Sequence, residues 1–317
     1  MTGTVFVALA DLTHNRQAFD DLQRTFSTVR VATARDRAVA ELKALGSDVT
    51  AAVIGIKERI DASVLDAVPE LRAIGSVGVG TDHLDLAALR DRGVRVVTTP
   101  GVNSVSVAEH ALMMILALAK RTLPGHAAVL SGEDRAGLTE SPFELRGRRV
   151  GVLGAGATAR ALLPMLYALG TEPAVWTRRP ERHADLPVMD LEELLRRSDI
   201  LSVHLPLSDE TRGLLGPKLL GLLPQGALVV NTARKDIFDL PALAAVVAER
   251  PDLRFAMDGF GLAADGVTAS LGATALFSPH VAGVTVEALR AMQDRAVRGV
   301  VEAVTGSGTP GSQEPAS

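Results

Sequence analysis

The sequence predicts an α/β protein built from two parallel-sheet domains, on three observations. Short β-branched runs alternate with longer helical patterns from one end of the chain to the other, the signature of a parallel sheet wrapped by helices. A second such series opens in mid-chain at a glycine-rich turn. The length, 317 residues, is enough for two separate cores.

The first series starts with a strand at residues 4–8 and a helix at 15–26. Further strands are expected at 29–32, 52–56, 73–76 and 94–98, with helices at 34–45, 62–68 and 86–91, so residues 1–100 read as one open α/β unit. Next, Val107, Ala108, Ala111, Leu112, Ile115, Leu118 and Ala119 form an apolar stripe at helical spacing. Ser106 and Glu109 fit the Ser-x-x-Glu capping pattern near its start. This helix, 105–119, carries Glu109 and His110 and falls short of the roughly 20 apolar residues of a membrane span, so a buried helix is expected. After a polar stretch at 131–147, the second series places strands at 149–153, 174–176, 200–204, 227–231, 254–258 and 275–277. A last helix covers 286–304, and residues 306–317, rich in Gly, Ser and Pro, read as a disordered tail.

Composition narrows the function. With 47% apolar and 22% charged residues the chain is an ordinary globular protein; at 3% aromatics its cores must rest on Ala, Val and Leu. The net charge of −4 argues against general binding to nucleic acid or anionic membranes, which calls for a basic excess. There is no cysteine, which removes disulfides, thiolate metal sites and a thiol nucleophile, and fits a reducing cytoplasm. The first ten residues lack the basic region of a signal peptide. No metal site is expected.

The strand at 149–153 runs straight into Gly154-Ala155-Gly156-Ala157-Thr158-Ala159 and then a helix. Gly-x-Gly-x-x-Ala at such a turn is a Rossmann-like dinucleotide fingerprint. The first glycine permits the turn, the second lets a pyrophosphate approach the backbone, and the small third residue lets helix and strand pack closely. The next strand ends at Trp176, where an acid would bind a ribose 2′-hydroxyl; here stand Thr177, Arg178 and Arg179. Two guanidiniums suit a 2′-phosphate, so NADP is favoured over NAD, which stays possible.

Several stretches together carry a resemblance. They are Ser76-Val77-Gly78-Val79-Gly80-Thr81-Asp82-His83-Leu84-Asp85, Thr99-Pro100-Gly101-Val102-Asn103-Ser104 through Val107-Ala108-Glu109-His110, His204-Leu205-Pro206-Leu207, Asn231-Thr232-Ala233-Arg234 and Ser278-Pro279-His280-Val281-Ala282-Gly283. With the glycine turn they make the chain resemble the D-isomer-specific 2-hydroxyacid dehydrogenase family over nearly its whole length. The resemblance implies a flavodoxin-like substrate domain (1–100 plus 284–305), a Rossmann-like cofactor domain (101–283), an active-site cleft between them and a homodimer formed through the cofactor domain. It also implies hydride transfer between a nicotinamide and a small 2-hydroxy or 2-keto acid.

By the same resemblance His280 is the proton donor and acceptor, a role its unperturbed pKa near 6.5 suits, and Arg234 holds the substrate carboxylate. Backbone N–H groups from Val77, Gly78 and Val79 to Gly80 would complete the anion pocket. Thr232 and Ala233 would lie along the cofactor, Asp258 would contact the nicotinamide amide, and His204 with Leu205 and Pro206 would line the cofactor cleft. His14, His83, His110, His126 and His183 have no partner visible in the sequence and read as structural or solvated.

Two departures stand out. The family reads Asp-Val-Phe-x-x-Glu where this chain reads Asp258-Gly259-Phe260-Gly261-Leu262-Ala263, so the glutamate that pairs with the histidine is absent. A nearby anion raises a histidine pKa, and one lost unit is about 1.4 kcal/mol, which weakens the donor without removing it. Asp265 or a second anionic group on the substrate are the candidate replacements. At Gly55-Ile56-Lys57, where many relatives place Arg-Ser, only Lys57 is polar. The missing glutamate keeps an alternative open: a cofactor-binding regulator of the same fold.

Overall fold

A computed structural model describes residues 2–259, 271–272 and 275–306 and divides into two compact units. The first takes the chain up to Asn103 together with the part from Val286 onward; the second is Ser104–Thr285.

The first unit is a five-stranded, wholly parallel sheet in the order β2-β1-β3-β4-β5, made of β1 (Thr2–Val7), β2 (Phe26–Val31), β3 (Val49–Ile54), β4 (Ala73–Ser76) and β5 (Arg95–Val97). The expected strand at 52–56 sits earlier, so Lys57 lies in the loop beyond β3. Helices α1 (Arg16–Thr25), α2 (Ala38–Ala44), α3 (Ala62–Ala67) and α4 (Leu86–Asp91) connect the strands. Asn15, Asp61 and Asp85 start α1, α3 and α4 by accepting the N–H groups of Ala18, Val64 and Ala88. Strand alternation splits the apolar residues between two faces. Val5, Val7, Ala51, Val53 and Ala73 pack with Leu22, Ala296 and Val300, while Phe6, Ala52, Ile54 and Ile74 pack with Leu42, Leu65 and Leu89.

The last helix of the described chain, α11 (Val286–Thr305), lies against this sheet with little clearance. A Cβ added at Gly75 would meet the Ala296 carbonyl oxygen and Val300 Cγ2, each at 2.8 Å. Buried polar side chains fix the helix register: Asn15 Nδ2 donates to Asp294 Oδ1 at 2.7 Å and to Gln293 Oε1 at 3.3 Å, and Gln293 Nε2 donates to Asp11 Oδ2 at 3.0 Å.

The second unit opens with α5 (Ser104–Ala119) and α6 (Thr122–Leu130). It then alternates β6 (Arg149–Leu153), α7 (Ala157–Ala168), β7 (Glu172–Trp176), α8 (Leu191–Arg197), β8 (Ile200–Val203), α9 (Pro217–Leu220), β9 (Leu228–Asn231), α10 (Leu240–Glu249), β10 (Arg254–Asp258) and β11 (Leu276–Ser278). All six strands are parallel, in the order β7-β6-β8-β9-β10-β11. Beyond β7 an isolated parallel bridge joins Val175 to Val188. Counting it as a vestigial strand gives the dinucleotide-fold order 3-2-1-4-5-6 with one more strand at the far edge.

Two local readings change. α5 begins at Ser104, so Ser106 lies inside the helix, and its hydroxyl pairs with Thr285 Oγ1 at 2.7 Å instead of capping. β7 begins two residues before the expected strand because Pro173, which removes one backbone donor, is tolerated near the sheet edge. As expected, α5 buries Ala108, Ala111, Met114, Ile115 and Leu118. Of the expected tail at 306–317, residues 307–317 lie outside the described residues.

The Gly75 contact gives a stability prediction. Gly75→Ala forces α11 away from β4 and is expected to destabilise the protein by about 1–3 kcal/mol, the usual cost of overpacking. It should appear as a lower denaturation midpoint; an unchanged midpoint would contradict the contact.

Candidate active site

In a parallel sheet every strand ends on the same edge. Along that edge of the second unit, in the order β7, β6, β8, β9, β10, β11, the strands are followed by Thr177-Arg178-Arg179, Gly154 to Thr158, His204-Leu205-Pro206, Thr232-Ala233-Arg234, Gly259 just past the terminal Asp258, and His280. Neighbouring strands are about 4.8 Å apart, so β6 and β10 are separated by roughly 14 Å. The chain order reverses at β6, between β7 and β8, and open α/β sheets bind ligands beyond the carboxyl ends at such a point.

Gly154 takes φ 109°, a backbone state open to glycine, and an added Cβ would sit 2.7 Å from the His204 carbonyl oxygen. Gly156 faces open space, where a Cβ would meet nothing within 4 Å. It precedes α7, whose start no side chain caps. The first N–H groups of α7 and the positive end of its dipole are therefore available to an anion. Ala155 and Ala159 are buried, Thr158 is half-buried, and Ala157 and Gly156 are exposed. The residues present fit a dinucleotide pyrophosphate.

At the β7 end, Thr177 Oγ1 accepts the Arg179 N–H at 3.3 Å. Arg178 makes an ion pair with Glu210 from the loop after β8. A carboxylate thus does reach this end of the edge, from a position the local sequence around 177–179 does not reveal.

His204 is half-buried, and both ring nitrogens face protein groups: Nε2 meets Ser202 Oγ at 2.8 Å and Nδ1 meets Thr232 Oγ1 at 3.4 Å. Loss of solvent pushes its pKa down to about 4, so the ring is neutral at pH 7. Its ring ties β8 to the loop after β9. Leu205 is buried, and the carbonyl of exposed Pro206 accepts Thr211 Oγ1–H at 2.7 Å.

Asn231 is fully buried at the end of β9 and shapes the next turn from inside: Oδ1 accepts the Ala233 N–H at 2.9 Å and Nδ2 donates to the Arg234 carbonyl at 2.9 Å. Thr232, Ala233 and Arg234 are half-buried, and Arg234 Nη1 donates to the Ala233 carbonyl at 3.1 Å. Asn231 stands in the motif without a role of its own in the sequence, and an asparagine opening a turn is the signal that marks it.

His280 is exposed and takes φ 59°, unusual for a residue with a side chain. Its ring lies against Gly259 (φ 87°), where an added Cβ would stand 2.6 Å from Nδ1. Asp258, only 3% exposed, holds the turn. Its Oδ1 accepts Ser278 Oγ–H at 2.5 Å and Val281 N–H at 2.9 Å, and its Oδ2 accepts Ala282 N–H at 2.9 Å. A carboxylate offers about four acceptor positions, so the one expected to contact a nicotinamide amide is mostly committed to the His280 turn. The residues at which the family glutamate and its possible substitute fall, Ala263 and Asp265, lie outside the described residues.

In the first unit two of the expected anion donors are already used. Val77 N–H donates to the Ile54 carbonyl at 2.8 Å, because residue 77 continues the pairing of β4 with β3, and Gly78 N–H turns back to the Ser76 carbonyl at 2.9 Å. The candidate donors that remain are those of half-buried Val79 and Gly80. Lys57 is exposed after β3, while neighbouring Glu58 is buried, accepts the Gly55 N–H at 2.8 Å and pairs with Arg35 at 3.7 Å. Histidines without a partner in the sequence acquire one: His83 meets Ser76 Oγ at 3.2 Å, His110 meets Ser278 Oγ at 3.0 Å, and His183 meets Arg160 at 3.2 Å. Among the described residues no cluster of metal-ligating side chains is present, and no helix is long and apolar enough to cross a membrane.

The family model for the D-isomer specific 2-hydroxyacid dehydrogenase NAD binding domain matches residues 112–282. The chain belongs to this family. It is 34% identical over 287 residues to (S)-sulfolactate dehydrogenase of Chromohalobacter salexigens, covering 85% of this chain and 89% of that protein. It is 35% identical over 251 residues to D-3-phosphoglycerate dehydrogenase of Mycobacterium bovis, covering 77% of this chain but 46% of that longer protein. A crystal structure of a glyoxylate reductase from Paecilomyes thermophila superposes with a TM-score of 0.83 over 96% of each chain; at 22% identity it speaks for the fold alone. In this 2-hydroxyacid dehydrogenase family member, the match spans every edge loop of the second unit from Gly154 to His280.

The state of His204 sets a pH dependence. Its folded pKa, about 4, lies below the ordinary 6.5, so the folded protein binds fewer protons between those values. The site's stability contribution is complete above pH 6.5 and is lost as pH falls toward 4, by on the order of 2 kcal/mol. Chemical denaturation at pH 7 and pH 4.5 should show a smaller drop for His204→Asn than for the parent; equal drops would place the titration elsewhere.

Proposed function

We propose that this protein reversibly oxidises a small 2-hydroxy acid bearing a second anionic group, with NADP(H) as hydride carrier. The observation that carries the reading is the order of groups along the carboxyl edge. Arg178 and Arg179 stand at one end, the uncapped α7 start comes next, and Arg234, Asp258 and His280 follow at the other end.

The nicotinamide cofactor supplies or accepts the hydride. Gly154 to Thr158 hold its pyrophosphate, Thr232 and Ala233 lie along it, and Arg178 and Arg179 take the 2′-phosphate. The doubly charged phosphate competes with Glu210 for Arg178. NAD(H) is the weaker alternative. Arg234 grips the substrate carboxylate through its planar fork. His280 delivers a proton to the carbonyl oxygen during reduction and removes it during oxidation. Val79 and Gly80 N–H groups assist with the anion, and exposed Lys57 attracts the second charge. The relative that acts on sulfolactate, an acid carrying both a carboxylate and a sulfonate, supports such a dianion as substrate. Retention of both Arg234 and His280 weighs against a purely regulatory descendant.

The second unit is thus the cofactor domain and the first the substrate domain. A cytoplasmic homodimer belongs to the same reading; exposed Met113 of α5 and Val129 and Leu130 of α6 offer apolar surface for the pairing.

Nicotinamide absorbance tests the proposal with glyoxylate, pyruvate, hydroxypyruvate and sulfonate- or phosphonate-bearing 2-keto acids. Cofactor binding without turnover on the whole panel would overturn it. His280→Ala is expected to lower turnover by roughly 10²–10⁴-fold with cofactor affinity nearly unchanged. Replacing Arg178 and Arg179 by Ala should raise KM for NADPH far more than for NADH; matched losses would remove the 2′-phosphate assignment.

A further inference from the structure

The turn that carries His280 is organised around one residue, Ser278. Its carbonyl accepts two N–H groups, from Gly259 at 2.9 Å and from His280 at 3.0 Å. Its hydroxyl lies 2.5 Å from Asp258 Oδ1 and 3.0 Å from His110 Nε2. A hydroxyl has one proton to give. Asp258 Oδ1 already accepts the Val281 N–H and has nothing to donate, so the Ser278 proton goes to Asp258. The Ser278 oxygen must then accept from the imidazole, which places a proton on Nε2 of His110. The direction of the whole chain follows: His110 donates to Ser278, Ser278 donates to Asp258, and Asp258 holds the N–H groups of Val281 and Ala282 on the far side of His280.

We infer that His110, on α5 and outside the reacting groups, is a positioning residue that sets the geometry of His280 through Ser278 and Asp258. The turn needs such a brace. His280 is held at φ 59°, a strained conformation for a non-glycine residue, and such conformations persist only where the surroundings enforce them. The turn also sets where the ring lies, which is against Gly259. Donation from His110 polarises the serine hydroxyl and strengthens its bond to the buried carboxylate, as in other hydrogen-bond chains. The half-buried His110 ring thereby ties a helix to the end of β11 and to the turn beyond.

The inference rests on the reading of His280 as the proton-transfer residue, and two independent measurements keep the claims apart. The first needs no cofactor or substrate: amide hydrogen exchange at Val281 and Ala282 in the full chain. His110→Ala and Ser278→Ala should each speed exchange at those two amides roughly tenfold or more, and the double variant should match Ser278→Ala alone. His110→Gln, whose amide N–H can stand in for Nε2–H, should restore slow exchange. The second is kinetic: His110→Ala should lower kcat roughly tenfold with little change in KM for the cofactor, and His110→Gln should recover most of the loss. Unchanged exchange in His110→Ala, or additive effects in the double variant, would overturn the brace whatever the kinetics. Faster exchange with undiminished kcat would overturn its role in positioning, provided His280→Ala itself abolishes turnover. If His280→Ala keeps full turnover, the catalytic reading of that residue fails instead.

Discussion

The parallel direction of the six strands in the second unit is the constraint from which its other features follow. Parallel strands need crossovers, so each strand's carboxyl end must open into a loop on the same edge. A chain that places one polar motif after each strand therefore collects all of them on one line, although in sequence they run from Gly154 to His280. Spacing along that line is set by the sheet, not by the loops, which makes it rigid. Gly154 shows how tight the arrangement is: β6 and β8 come so close at their ends that the His204 carbonyl leaves no room for a side chain. Any residue other than glycine would have to move two strands apart.

A second constraint acts at the far end of the edge. The His280 turn is built from a glycine at φ 87°, a histidine at φ 59° and a buried carboxylate that accepts three hydrogen bonds. An unpaired buried carboxylate costs far more than the turn's strain, so Asp258 and the turn stabilise one another. The same device appears in neutral form at β9, where buried Asn231 uses both ends of its amide to shape the loop of Arg234. Both proposed reacting side chains thus project from turns whose backbone is fixed from inside the sheet.

Much of this was legible in the sequence because strand and turn signals are local. β4, β6, β10 and α4 sit where alternation and turn residues put them, and the glycine fingerprint marked its turn correctly. The readings that changed depend on tertiary neighbours. Pro173 looks like a strand breaker until β7 is seen near the sheet edge. Val77 looks like a free donor until β3 is seen beside it. Ser106 looks like a cap until the helix is seen to start at Ser104. The partners of His83, His110 and His204 are hydroxyls that carry no sequence signature, and Glu210 reaches Arg178 from a different loop.

The absence of the family glutamate at position 263 separates two jobs that one carboxylate usually combines. A carboxylate beside an imidazole both orients the ring and raises its pKa. Orientation can be delivered by backbone geometry, and the Asp258 brace acts on the backbone of the His280 turn. Charge cannot be delivered that way: Asp258 spends its acceptors on a hydroxyl and two N–H groups. A second anionic group on the proposed substrate would supply a negative charge opposite the ring. Such a substrate would stabilise the imidazolium while it is bound, when proton transfer is required.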